Sequence, residues 1–135
     1  FIVNNTFVND KRVGIFLQIA ASTASAVVAT NNIFYGGGTI SSQSSTLLSH
    51  NYSGSNPMFV DIGNLDYRLQ PGSAAIDAGA DPGSGAGRSL QPTQEYVQPT
   101  AMQLRPTNAA IDIGAYEYMP DPIFCDGFEA IKSCN

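Results

Sequence analysis

Five aspartates, Asp61, Asp66, Asp77, Asp81 and Asp112, are the side chains best placed to do chemistry in this sequence. Paired carboxylates can cleave a glycosidic bond by general acid and base action. Clustered ones can hold calcium through oxygen ligands. Asp77 and Asp112 each sit in an Ile-Asp-x-Gly setting. An Asp there can accept backbone N–H groups in a tight turn, and the Gly that follows tolerates unusual backbone angles. Both are therefore expected to be structural. The stretch from Asp61 to Asp66 lacks the twelve-residue pattern and terminal Glu of an EF-hand. Calcium is the one ion these acids could take, and no other cofactor is expected.

The remaining candidates are few. His50 is the only histidine. A nucleophilic triad needs a serine and an acid beside it, and no G-x-S-x-G stretch is present, so His50 is expected to stand at a corner in place of an Asn. Arg68 and Arg105 could each grip a substrate carboxylate as a fork; for Arg105, followed by Pro106, a structural bond to a carboxylate or backbone is expected. Tyr35, Tyr52, Tyr67, Tyr96, Tyr116 and Tyr118 could stack on sugars. Gly36-Gly37-Gly38 lacks the Lys and the helix of a phosphate loop. No catalytic, cofactor-binding or metal residue is assigned. Cys125 and Cys134 lie nine positions apart, outside C-x-x-C spacing. A disulfide pinning the tail is expected, worth about 2–3 kcal/mol and implying an oxidising compartment.

The elements that carry these residues are short and repetitive. Asn4-Asn5-Thr6-Phe7 recurs 27 positions later as Asn31-Asn32-Ile33-Phe34, and His50-Asn51-Tyr52 echoes it about 19 positions on. An apolar stretch precedes each copy, and Gly14 to Ile19 supplies another strand between the first two. A period in the twenties with two or three short strands reads as solenoid rungs. Asn suits the corner, since it tolerates left-handed backbone angles, and stacked carboxamides can bond from rung to rung. Phe7 and Phe34 should point inward and stack. Residues 19–30 read as a turn and then a strand. Residues 36–46 read as an excursion between rungs with only Ile40 facing a core.

From Asn56 the pattern changes. Leu65, Tyr67 and Leu69 alternate onto one face. Residues 80–100 are rich in Gly and Pro and read as a surface loop. Residues 111–118 read as a strand, with Tyr116 and Tyr118 on one face and Ala115 and Glu117 on the other. Residues 1–118 are expected to form one domain, with rungs to about residue 55 and a terminal β segment beyond. Residues 119–135 follow as a tail.

Composition sets the partners. Apolar residues make up 43% of the 135, enough for a packed core. Charged residues are only 13%, about half the usual share of roughly 25%. The polar surface is thus mostly Asn, Ser, Thr, Gln and Gly. Net charge is −5, and six scattered basic residues do not make a phosphate-binding surface. Nucleic acid is excluded as a partner, and an anionic polysaccharide is repelled on average. No apolar run reaches the roughly 20 residues of a membrane span. No leader pattern is visible at Phe1-Ile2-Val3.

The run N-P-M-F-V-D, then L-D-Y-R-L-Q-P-G-S-A-A-I-D-A-G, then R-P and I-D-I-G-A-Y-E-Y resembles the closing segment of bacterial right-handed parallel β-helix repeat proteins of the pectate-lyase-like superfamily. It spans residues 56–118, with the N-N-x-F rungs upstream. The tail D-P-I-F-C-D-G-F-E is similar to a short C-terminal motif of secreted proteobacterial proteins. The resemblance implies an all-β chain: a β-helix end, a terminal β segment and a disulfide-held tail, secreted or at the cell surface. In that superfamily the chemistry sits on central rungs, so no catalytic residue carries over. Fold alone does not name a reaction. The expected function is an extracellular structural or interaction module, such as a filament or surface-protein subunit, with itself (head to tail) or a polysaccharide as partner. The alternatives are a fragment of a polysaccharide lyase or glycosidase, and a carbohydrate-binding or adhesive module using loops 36–46 and 80–100.

Overall fold

The computed structural model describes residues 1–108 and 110–120. Cys125 and Cys134, with the disulfide expected between them, lie outside the described residues. The described chain is all-β, with parallel sheets in its first half and antiparallel hairpins in its second.

The first half makes three passes. Strands β1 (Ile2–Val3), β2 (Thr6–Val8) and β3 (Ile15–Leu17) form the first. Strands β4 (Val28–Thr30), β5 (Ile33–Tyr35) and β6 (Thr39–Ser41) form the second. Strands β7 (Leu47–Ser49) and β8 (Tyr52–Gly54) form the third. Pairing is parallel in the orders β1-β4-β7, β2-β5-β8 and β3-β6. Ile2 aligns with Ala29 and Ala29 with Leu48; Phe7 aligns with Phe34 and Phe34 with Ser53. The repeats seen in the sequence are thus stacked in register. Phe7 and Phe34 stack as expected, with ring centroids 5.1 Å apart and planes within 3°.

Each corner between the first two strands turns through one left-handed residue: Asn4 at φ 53°, Asn31 at 57° and His50 at 48°. Asn adopts this conformation more readily than other non-glycine residues, which explains the first two. His50 takes the same place in the third pass.

Residues 36–46 depart from the expected excursion, because Thr39–Ser41 is β6 and pairs with β3. The glycines make this possible. A Cβ on Gly36 would lie 2.2 Å from the Asn9 carbonyl oxygen, and one on Gly38 would lie 2.9 Å from that of Gly14. The glycine run presses against the preceding pass, so that Thr39 donates its N–H to Gly14 at 2.9 Å.

Beyond residue 56, β9 (Phe59–Asp61) and β10 (Asp66–Leu69) pair antiparallel around a 3₁₀ turn, Ile62–Asn64. Residues 80–100 are not the plain loop expected. They contain the small hairpin β11 (Ser84–Gly85) and β12 (Arg88–Ser89), then β13 (Gln94–Val97), which pairs with β14 (Ala101–Leu104). The Gly and Pro content marked the turns and hid the short strands between them.

Residues 111–118 are not a strand. Their amides bond sideways, to Ala75, Asn31, Thr6 and Glu95 in turn. Gly114, at φ 108°, breaks the extended backbone. Alternation therefore fails, and Glu117 is buried instead of facing out.

The sheet β2-β5-β8 is covered on both faces. Phe34 joins Leu17 and Ala29 in one core, with Phe7 and Phe16 against it. Its neighbours Ile33 and Tyr35 face the opposite way, into a second core with Phe59, Leu69, Ala75 and Ile113. Period-two alternation in one three-residue strand thus feeds two cores. The terminal segment lies along the side of the passes and reaches back to the first.

Candidate functional site

The Asn column forms a directed ladder. Asn32 Oδ1 accepts the backbone N–H of Asn5 at 2.9 Å and its Nδ2 at 3.0 Å. Asn51 Oδ1 accepts the same two groups of Asn32 at 2.8 and 3.0 Å. Each Nδ2 also reaches a strand carbonyl of the pass before: Asn32 to Ile2 at 2.8 Å, and Asn51 to Ala29 at 2.7 Å. The first and second passes therefore donate forward through their Asn residues. Among the described residues the ladder ends with Asn5 Oδ1 lacking a donor and the Asn51 N–H lacking an acceptor.

The left-handed corner residues do different work. Asn4 Nδ2 donates to the carbonyl of Asp112 at 2.9 Å. Asn31 donates to Ala80 at 2.7 Å and accepts from the Ala80 N–H at 3.0 Å. Both are buried because the terminal segment covers them. His50 stays exposed, its Nδ1 2.8 Å from Ser49 Oγ.

Asp77 and Asp112 meet under that segment. Asp112 Oδ1 accepts the Asp77 N–H at 2.7 Å, and its Oδ2 accepts the Tyr118 N–H. Asp77 Oδ1 accepts from Ala110 at 3.3 Å. The left-handed residue here is Asp77 itself, at φ 53°. Gly79 serves by size instead, since a Cβ there would lie 2.6 Å from the Ile111 carbonyl oxygen.

A buried cluster of charges adjoins them. Arg105 Nη2 and Nε each lie 2.9 Å from Glu117 Oε2, with both side chains 3% exposed. The same guanidinium donates to the carbonyls of Gly114 and Asp112. The Glu117 N–H donates to Glu95 Oε2 at 3.1 Å, and Gln103 Nε2 donates to Glu95 Oε1 at 2.6 Å. Burial pushes the Asp112 carboxyl above its ordinary range against two backbone donors. Burial, then the nearby Asp112, does the same to Glu117. Sequence reasoning missed Glu95 and Glu117. The available signal was Arg105, a charge expected to need a carboxylate.

Asp61, Asp66 and Asp81 are not brought to one point. Asp61 caps the 3₁₀ turn, accepting from Asn64 N and Nδ2 at 3.2 and 2.7 Å. The Asn64 side chain and N–H hold its pKa below the ordinary range. Asp66 takes the Arg68 fork at 2.9 and 2.6 Å, and that guanidinium lowers its pKa. Asp81 accepts the Gly83 N–H at 2.8 Å. Among the described residues no group of three or more His, Cys, Asp or Glu side chains could hold a metal ion. None of their helices is long and apolar enough to cross a membrane.

One concave region joins the hairpins. Two cavities, of about 460 and 430 Å³, adjoin where Arg68, Glu95 and Gln103 line both. Gln70 and Tyr118 line the first, Gln98, Tyr96 and Tyr116 the second. Burial, then the Asp66 and Glu95 charges, raises the Tyr116 pKa above its ordinary range. Tyr67 instead packs on Phe59 at 5.3 Å, and Tyr35 on the same ring at 5.7 Å.

Comparison with protein-family models, curated proteins and solved structures gives no match.

Proposed function

We propose that the chain is the terminal part of a right-handed parallel β-helix in a secreted protein, and that it works as an extracellular structural or interaction module. Three stacked passes with in-register parallel strands support the β-helix. Parallel strands joined by crossovers are right-handed in about 98% of cases. The low charge and Asn-rich corners fit a durable extracellular part.

The observation that carries the interaction role is the open end of the ladder. β7 and β8 present an outer edge on which Leu47 is 60% and Leu48 48% exposed. The Asn51 N–H points the donor sense of the ladder onward. Unpaired strand edges recruit further strands. A rung from another subunit with an Asn Oδ1 at the same corner meets this need. Repeated head-to-tail contact that does not close builds a filament.

Electron microscopy of the purified protein, with sedimentation across a concentration series, tests this reading. Filaments or stacked oligomers with a regular subunit repeat are expected. Separate monomers at every concentration would remove self-stacking as the function.

A further inference from the structure

We infer that the double cavity between β10 and the β13–β14 hairpin is a binding site for an uncharged saccharide. This inference is independent of rung stacking, because none of its residues lies on β1–β8. Each cavity falls within the roughly 300–1,000 Å³ of small-molecule sites.

Three glutamines give the region its chemistry. Gln70 spends Nε2 on the Phe59 carbonyl at 2.8 Å, Gln98 on that of Leu65 at 2.9 Å, and Gln103 on Glu95 at 2.6 Å. Each amide is thus anchored through one N–H. Each keeps an Oε1 without a donor among the described residues, and Gln98 and Gln103 keep a second N–H besides, whereas Gln70 Nε2 also reaches the Val60 carbonyl at 3.4 Å. Fixed groups that both accept and donate match sugar hydroxyls, which also do both. Because the protein already orders them, a ligand pays less in side-chain entropy.

The walls supply flat apolar surface. Tyr96 is 48% exposed, so its ring face is open to a ligand, and its hydroxyl lies against the Pro99 carbonyl. Tyr116 lines the same cavity. Tyrosine offers an apolar face and a polar tip together, the pairing a pyranose ring needs from its C–H face and its edge.

Charge selects against acidic ligands. Asp66 is paired with Arg68 and Glu117 with Arg105, which leaves Glu95 as the surplus negative charge among the described residues that line the region. A uronate or phosphate would meet surplus negative charge, whereas a neutral glycan would not.

Affinity electrophoresis tests the proposal, with hydroxyethylcellulose, galactomannan and a soluble β-1,3-glucan in the gel and polygalacturonate as the anionic comparison. Retardation is expected by at least one neutral polymer and not by polygalacturonate. Tyr96→Ala should weaken binding about tenfold, while Tyr96→Phe, which keeps the ring, should bind nearly as well. Circular dichroism on each variant separates lost binding from lost fold. The proposal fails if no neutral polymer retards the protein, if polygalacturonate retards it most, or if folded Tyr96→Ala binds as well as the parent.

Discussion

Asn5 and Asn32 are joined twice across 27 residues, with both the backbone N–H and the Nδ2 of Asn5 given to Asn32 Oδ1. Asn32 is fully buried, and it donates in turn to Ile2, Thr30 and Asn51. Asn32→Ala removes the acceptor of the Asn5 backbone N–H and the side-chain donor to the Ile2 carbonyl, while the Thr30 carbonyl keeps the Asn4 N–H and Asn5 Nδ2 keeps the Val3 carbonyl. A loss of about 2–4 kcal/mol is expected, read from the urea midpoint. Adding Asn5→Ala should cost much less in the Asn32→Ala background than alone, since the two share bonds. Strict additivity would show that the ladder is not an energetic unit.

Gly114 is where the terminal segment crosses the second pass. A Cβ there would lie 2.6 Å from Ile33 Cδ1 and 3.0 Å from Thr6 Oγ1, at φ 108°. Gly72 shares a positive φ of 86° but has open space around it. Gly72→Ala therefore probes backbone strain alone, at about 1 kcal/mol. Gly114→Ala adds a clash in a packed core, for about 2–4 kcal/mol in total. Equal losses would mean that the segment does not seat against Ile33.

The acids of the cluster set the pH response. Burial raises the carboxyls of Asp112 and Glu117, so the folded state binds more protons than the unfolded state between their ordinary and raised values. Their stabilising contribution is complete below the ordinary range, near pH 4, and is lost as pH rises through the raised values. Asp61 and Asp66 shift the other way, but lie at the surface, where such pairs contribute little. The Tm should therefore rise as pH falls towards the ordinary carboxylate range, near pH 4, and Asp112→Asn should flatten that slope. A Tm that falls over this range would overturn the assignment.

What was legible in the sequence follows from where the partners lie. The parallel passes rest on local repeats: N-N-x-F states both the corner and the inward Phe, and no distant residue is needed to read it. β6 was hidden because its strand is too short and polar to show alternation, and depends on glycines that let Asn9 and Gly14 come close. Residues 111–118 look like a strand because Ile, Tyr and Ala alternate with polar residues. Their true partners, Ala75, Asn31 and Thr6, are between 38 and 109 positions away, and no periodicity reports contacts of that kind. The same alternation grouped Glu117 with Ala115, opposite Tyr116 and Tyr118, and gave no sign of the buried cluster. The cavity between the hairpins depends on β13 and β14, inside a stretch whose Gly and Pro content suggested loop.

Among the described residues Arg105 is the single cation inside the acidic cluster, and its removal should expose what that cluster costs. Arg105→Met leaves Glu117 buried without its partner, which typically costs about 3–5 kcal/mol. Glu117→Gln in the parent breaks the pair from the other side and should also destabilise. In the Arg105→Met background the same change removes an unpaired buried charge, so it should stabilise instead. A larger response to pH is expected in the variant. Without the guanidinium the Glu117 pKa rises further, so Arg105→Met should regain more stability on acidification than the parent does. Urea midpoints of the four proteins at two pH values settle both points. If Glu117→Gln lowers the midpoint equally in the two backgrounds, Arg105 acts by packing its stem and by its bonds to Gly114 and Asp112, not by charge.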